Sequence, residues 1–278
     1  MEDHNVDKLY IKLFDVDAGY KHERPDWKMV PIATTQFKQK LPDKMDVVPV
    51  IYITVDAIGA LGHEQWIYET HERYASLIVK RIDDMMQDHW GGSIREVQID
   101  CDWTAQTELS YFALAQKIKE KLNEHDIILS GTLRLHQLHQ VEEHQPIPFD
   151  RLLLMCYNTG QLQDATTRNS ILDFDDVKPY LKQYHSDSLP RTDVAFPVYT
   201  WGVEFNDAGD FVRLVNSKKI GDSNVHNLRV ERGEPAAILK TQSALPMLES
   251  THTTLLYHLD SLNLSQYSYE DIEAFYSR

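Results

Sequence analysis

Two carboxylates two residues apart, Asp100 and Asp102, stand in the run R-E-V-Q-I-D-C-D-W-T from Arg95 to Thr104. Side chains of a strand alternate between its faces with period two. Val97, Ile99, Cys101 and Trp103 therefore share one face, and Gln98, Asp100, Asp102 and Thr104 the other. An all-apolar face opposite an all-polar one predicts a strand packed outward on helices and lined inward by a polar cavity, which is an active-site geometry or the remains of one. The same two acids have a structural use as well, since carboxylates at a strand end can accept the free N–H groups of the helix that follows.

The elements that must position this pair follow from the rest of the pattern. Strands are predicted at Lys8 to Asp17, Trp27 to Phe37, Val47 to Ile58, Arg95 to Thr104, Ile127 to His136, Arg151 to Tyr157, Asp193 to Trp201 and Thr253 to Asp260. Helices are predicted at His63 to His89, Ala105 to Asn123 with Thr104 as N-cap, about Asp173 to His185, and Tyr269 to Tyr276. Glu204 to Glu249 breaks the rhythm and reads as a long insertion with a hairpin near Asn206 to Gly209. Eight strands, mostly alternating with helices in about 250 residues, is the count of an α/β (β/α)8 TIM barrel forming one domain over 1–278. No convincing helix follows either of the first two strands, and a doubly wound open sheet stays open as the alternative.

In such barrels the strand C-terminal ends carry the chemistry. Here they offer Asp15 and Asp17, Asp56, Asp100 and Asp102, Arg134 and His136, Tyr157 and Asn158, Tyr199 and Trp201, and His258 and Asp260. Aromatic rings beside carboxylates suit a sugar, which presents an apolar face to stack on and hydroxyls to bond. The same set serves other polar substrates. For Asp15 and Asp17 the helix-capping use weighs equally. Tyr199 and Trp201 can equally be core beneath the insertion, and Trp103, on the outward face, is expected in the core.

Composition narrows the classes. A net charge of −15 argues against a nucleic-acid surface, which needs clustered Lys and Arg. The two cysteines, Cys101 and Cys156, sit within predicted buried strands and are expected to be inert thiols. No run of about 18 apolar residues marks a transmembrane segment. A strand-like run begins at Lys8, leaving no room for a leader, so an exported or cell-envelope protein whose leader has been removed is the expectation. There is no Gly-rich phosphate loop and no G-x-S-x-G elbow. His136, His139 and His258 lack a recognised metal-ligand spacing, so no cofactor and no metal is expected; a metal-dependent hydrolase is the least favoured of the functions considered.

Three segments carry a resemblance to a family. Ile99-Asp100-Cys101-Asp102-Trp103-Thr104 resembles the fourth-strand signature of family 18 glycoside hydrolases, D-x-x-D-x-D-x-E. Met155-Cys156-Tyr157-Asn158 is similar to that family's sixth-strand M-x-Y-D, and Phe196-Pro197-Val198-Tyr199 to its seventh-strand P-x-Y. The resemblance implies a carbohydrate ligand and gives Asp100, Asp102 and Tyr157 the task of supporting a substrate acetamido group, whose own carbonyl is the family's nucleophile. It implies a divergent, bacterial branch. Thr104 stands where the family has its general-acid Glu, Val97 replaces the first Asp and Asn158 the Asp after Tyr157. A hydroxyl cannot act as that acid at neutral pH. The expectation is a glycoside hydrolase-like protein with Asp102 as leading carboxylate and Asp15, Asp17, Glu204 or Asp260 as its partner, or else a barrel that binds a glycan without cleaving it.

Overall fold

The computed structural model describes residues 6–24, 26–42, 44–62, 67–143, 146–181, 189–221, 227–245 and 252–277. The chain divides into two compact units, Met1–Leu133 with Gln140–Leu153, and Arg134–His139 with Leu154–Arg278.

The first unit contains β1 (Lys8–Ala18), β2 (Met29–Ile32), β3 (Asp46–Ile53), α1 (Val55–Leu61), α2 (Ile67–His89), β4 (Glu96–Asp100), α3 (Glu108–Asn123) and β5 (Ile128–Arg134). Its strand order is β2-β1-β3-β4-β5. The pairs β1·β3, β3·β4 and β4·β5 are parallel; α1 and α2 lie in the crossover between β3 and β4, and α3 in that between β4 and β5. β2 runs antiparallel to β1. The predicted second strand is thus a short hairpin partner of the first, because the described residues of the link between them hold a 3-10 turn (Gly19–His22) and no crossover helix. A second difference concerns the predicted third strand, which ends at Ile53. Thr54 accepts the Ala57 N–H at 3.1 Å and caps α1, so Asp56 lies in a first helical turn rather than at a strand end. Residues 63–66 of the predicted long helix lie outside the described residues; from Ile67 onward that helix stands, and α3 packs on it.

Both α4 (Gln137–Glu143) and β6 (Arg151–Met155) belong partly to each unit. The second unit continues with α5 (Phe174–Leu181), β7 (Thr192–Pro197), β8 (Thr200–Phe205), β9 (Phe211–Asn216), β10 (Leu228–Arg232), α6 (Pro235–Ala244), β11 (Thr254–Tyr257), α7 (Ser261–Leu264) and α8 (Tyr269–Tyr276). β7 lies between β6 and β11 and runs parallel to β11. The insertion forms an antiparallel sheet of order β10-β8-β9, with the expected hairpin at Asn206–Gly209. The predicted seventh strand therefore splits. It ends at Pro197, Tyr199 falls in the link, and Trp201 belongs to β8 of the insertion sheet.

Among the described residues no helix is long and apolar enough to cross a membrane. Cys101 and Cys156 are buried free thiols, and burial pushes both up from the usual thiol range.

Candidate functional site

The predicted strand stops at Asp100, and within β4 burial does not alternate, since Glu96 and Gln98 are each 3% exposed; the two sets separate only from Asp100 onward. Val97, Ile99, Cys101 and Trp103 are 0% exposed, whereas Asp100 and Asp102 are half-buried and Thr104 is exposed. Trp103 stacks on Tyr111 and meets Phe112 edge-on in the core. Parallel pairing then sets the polar face in rows, because laterally paired residues of a sheet project to the same side. Asp15 pairs with Tyr52 and Tyr52 with Asp100 across β1, β3 and β4. On the β5 side Asp100 accepts the Thr132 hydroxyl at 2.6 Å. One layer down, the Gln98 amide donates to Ser130 Oγ at 3.5 Å. Tyr52 is a member of this row that the sequence did not single out. The run V-V-P-V-I-Y-I reads as buried on both faces, and only the pairing register gives the tyrosine a side.

Thr104 takes part in a turn that leads into α3. Its carbonyl accepts the N–H groups of Thr107 and Glu108, and its hydroxyl donates to Gln106 Oε1 at 3.0 Å. The helix begins at Glu108, after Thr107, so Thr104 is not its N-cap.

In the second unit the predicted aromatic residues gather. Tyr157 stacks on Tyr257 with ring centroids 5.4 Å apart, and Tyr199 meets Tyr157, Trp201 and Tyr257 at 6.1, 5.2 and 5.8 Å. The His258 ring stacks on Tyr199, and its Nε2 lies 3.4 Å from the Asn263 amide. The Arg134 guanidinium sits 5.9 Å from the Tyr157 ring centre. Asn158 adopts a left-handed backbone, φ 56°, a conformation that Asn tolerates better than most residues. Its side chain accepts the Tyr199 hydroxyl at 2.6 Å. Burial, with the neighbouring Tyr257 phenol, pushes the Tyr199 hydroxyl up and keeps it neutral. His136, expected on the inward face of the fifth strand, lies beyond the end of β5 and is exposed, because Gln137 folds back to accept the Arg134 N–H and stops the strand.

The carboxylates offered as a replacement acid are engaged elsewhere. Asp17 is buried and accepts from the Ala18 N–H, from Thr54 Oγ1 at 2.7 Å and from His22 Nε2 at 2.8 Å. Burial pushes its carboxyl up, but the bonds from His22, Thr54 and Ala18, with the charge of Lys21, outweigh that and hold it below the usual carboxylate range. Asp15 pairs with Lys12 at 2.9 Å. Glu204 accepts from Arg213 at 2.6 Å on the β8–β9 hairpin. Asp260 caps α7, accepting from the Leu262 and Asn263 N–H groups, and these bonds lower its carboxyl. Of these four acids, Asp260 is the helix cap, while Asp17 joins the end of β1 to the residue that caps α1.

The sequence also missed Glu231, on β10. It is buried beside Trp201, whose indole N–H it accepts at 2.8 Å. The alternation L-R-V-E-R was the available signal, hidden by the polarity of the surrounding insertion.

No family model matches the chain, and no curated protein matches it. Solved structures do. The chitinase from Chromobacterium violaceum superposes with a TM-score of 0.60 at 13% identity over 97% of this chain and 90% of that one. The GH18 chitinase ChiB from the chitin utilization locus of Flavobacterium johnsoniae gives 0.58 at 13%, over 97% and 85%. The spore cortex-lytic enzyme SleL of Bacillus megaterium gives 0.59 at 12%, over 96% and 67%. At these identities the likeness is one of fold: an α/β architecture with a parallel sheet, shared along nearly the whole chain.

Proposed function

We propose that the protein is a glycan-binding member of the chitinase-like fold that holds an N-acetylated sugar polymer without cleaving it by the family's mechanism. The reading takes the chain as a (β/α)8-type barrel, as its fold likeness suggests. The family resemblance gives Asp100, Asp102 and Tyr157 the task of supporting the acetamido group; within the second unit, Tyr199 and Trp201 serve as stacking surfaces and Arg134, Asn158 and His258 as polar contacts. One observation carries the absence of cleavage. Position 104 bears a hydroxyl, and Asp15, Asp17, Glu204 and Asp260 are each committed to a cation, a hydroxyl or a helix end. Family chemistry needs a carboxylic acid to protonate the leaving oxygen.

Calorimetric titration with a β-1,4-linked N-acetylglucosamine hexamer tests the binding. Saturable binding is expected, weakened about tenfold or more by Trp201→Ala, the equivalent of roughly 1.4 kcal/mol. A flat titration, repeated across an array of N-acetylated glycans, would remove the proposal.

Hydrolysis is the second reading, favoured by the two carboxylates Asp100, the last residue of β4, and Asp102 just beyond it. Incubation with the same hexamer is expected to release no shorter oligomers. Release that disappears in Asp102→Asn would establish that reading instead.

A further inference from the structure

Glu231 is directly opposite Trp201 across the β10–β8 ladder, and its side chain is 0% exposed. A carboxylate offers about four lone-pair directions, and here four donors occupy them. Oε1 accepts the Ser170 N–H at 3.0 Å and Arg229 Nε at 2.6 Å; Oε2 accepts Trp201 Nε1 at 2.8 Å and Ser170 Oγ at 2.5 Å. Arg229 extends the network, donating to the carbonyls of Asp164 at 2.7 Å and Leu162 at 3.1 Å. Asn169 donates to the Arg232 carbonyl at 2.8 Å. One buried acid thus joins three parts of the second unit: the segment from Leu162 to Ser170 that follows β6, the strand β10, and the indole of Trp201.

The indole has two side-chain torsions, and fixing its N–H against a charged, immobile acceptor removes the freedom of both. A ring held in this way binds a flat apolar face without first losing rotamer entropy. Its other close neighbour is Tyr199, at 5.2 Å and 53° between planes, so the two rings meet as a bent surface rather than as a stack.

We propose that Glu231 is a positioning residue: it locks the Trp201 indole as a rigid platform for the apolar face of a sugar ring, and through Arg229 it ties the 162–170 segment to that platform. This rests on the glycan-binding reading above. It assigns the insertion between β7 and β11 a task in recognition, with a buried charge that never touches the ligand setting how well an aromatic ring does.

The test combines a double-mutant cycle with a spectroscopic readout of the indole. Glu231→Gln keeps the size of the side chain, and Trp201→Phe keeps a ring but removes the donor. The Trp201 indole N–H signal, assigned by its loss in Trp201→Phe, is followed by proton–nitrogen NMR, and affinity for the N-acetylglucosamine hexamer is measured for all four proteins. Glu231→Gln is expected to shift that signal, to speed its exchange with solvent, and to weaken hexamer binding about tenfold. In the Trp201→Phe background the same change is expected to cost little, because there is no longer an indole to hold. An equal loss in both backgrounds, or an unmoved indole signal, overturns the assignment and leaves Glu231 as an anchor of the insertion alone. If the wild-type protein binds no hexamer, the glycan reading fails and the platform role goes with it. Hexamer binding with an unmoved indole removes only the role of Glu231.

Discussion

At its first residue, β4 buries Glu96 to 3% exposure against the Lys8 ammonium at 2.6 Å, the Tyr10 hydroxyl at 3.4 Å and Arg151 at 3.5 Å. At its last, it presents Asp100 half-buried, bonded to the neutral hydroxyl of Thr132. The second unit repeats the first arrangement at the start of β7, where buried Asp193 accepts from Arg191 and from the Thr253 N–H. Carboxylates at the strand starts are matched by cations and serve the fold. The one at the end of β4 accepts the Thr132 hydroxyl and is half-buried, so it keeps some exposed surface. In barrels generally, the strand starts carry stability and the strand ends carry chemistry.

Substitutions at the two ends should therefore separate stability from binding. The largest loss of stability is expected from Glu96→Ala, which removes the buried carboxylate that Lys8 and Arg151 share, at about 3 kcal/mol by the usual cost of breaking a buried pair. Urea unfolding measures it, with hexamer affinity unchanged in the folded fraction. Asp100→Asn keeps the size of the side chain and an oxygen acceptor for Thr132, so it should cost less stability than Glu96→Ala while abolishing hexamer binding. Equal destabilisation by the two changes would break the comparison. The smallest effect sharpens it with an acid at the end of β1 that serves structure. The Asp17 carboxyl is held low in the folded chain, so its contribution is present above the unfolded carboxylate range, about pH 4, and is lost as pH falls through the folded value. Acid unfolding followed by circular dichroism should be less steep in Asp17→Asn than in the wild type, and an identical profile would count against the Asp17 bonds.

Much of this was legible in the chain. Alternation along 95–104 puts Trp103 in the core, where it is found, but it does not foresee that Gln98 is buried as deeply as its apolar neighbours. The features that were misread depend on information that composition does not hold. Strand direction is one, since β2 has the residues of a strand but is joined to β1 by a link without a helix. The start of α1 is another: Val55 and Ile58 prolong a β-branched run, and the capping bond from Ala57 to Thr54 is what ends it. Trp201 was assigned to the wrong sheet because Y-T-W continues the alternation past Pro197, which has no N–H to give a ladder. Asp260 and Asp17 have the residue type of a site, and only their hydrogen-bond partners reveal their structural employment.

The turn before α3 bears on any attempt to give this protein a proton donor. Position 104 is exposed, and its carbonyl already accepts two N–H groups at the positive end of a sixteen-residue helix. Water and the helix dipole both favour the ionised form of a carboxyl placed there. A Thr104→Glu change alone would supply a carboxylate that has already lost its proton at neutral pH. On the glycan-binding reading proposed above, a proton donor at position 104 calls for an apolar cover as well as the new side chain.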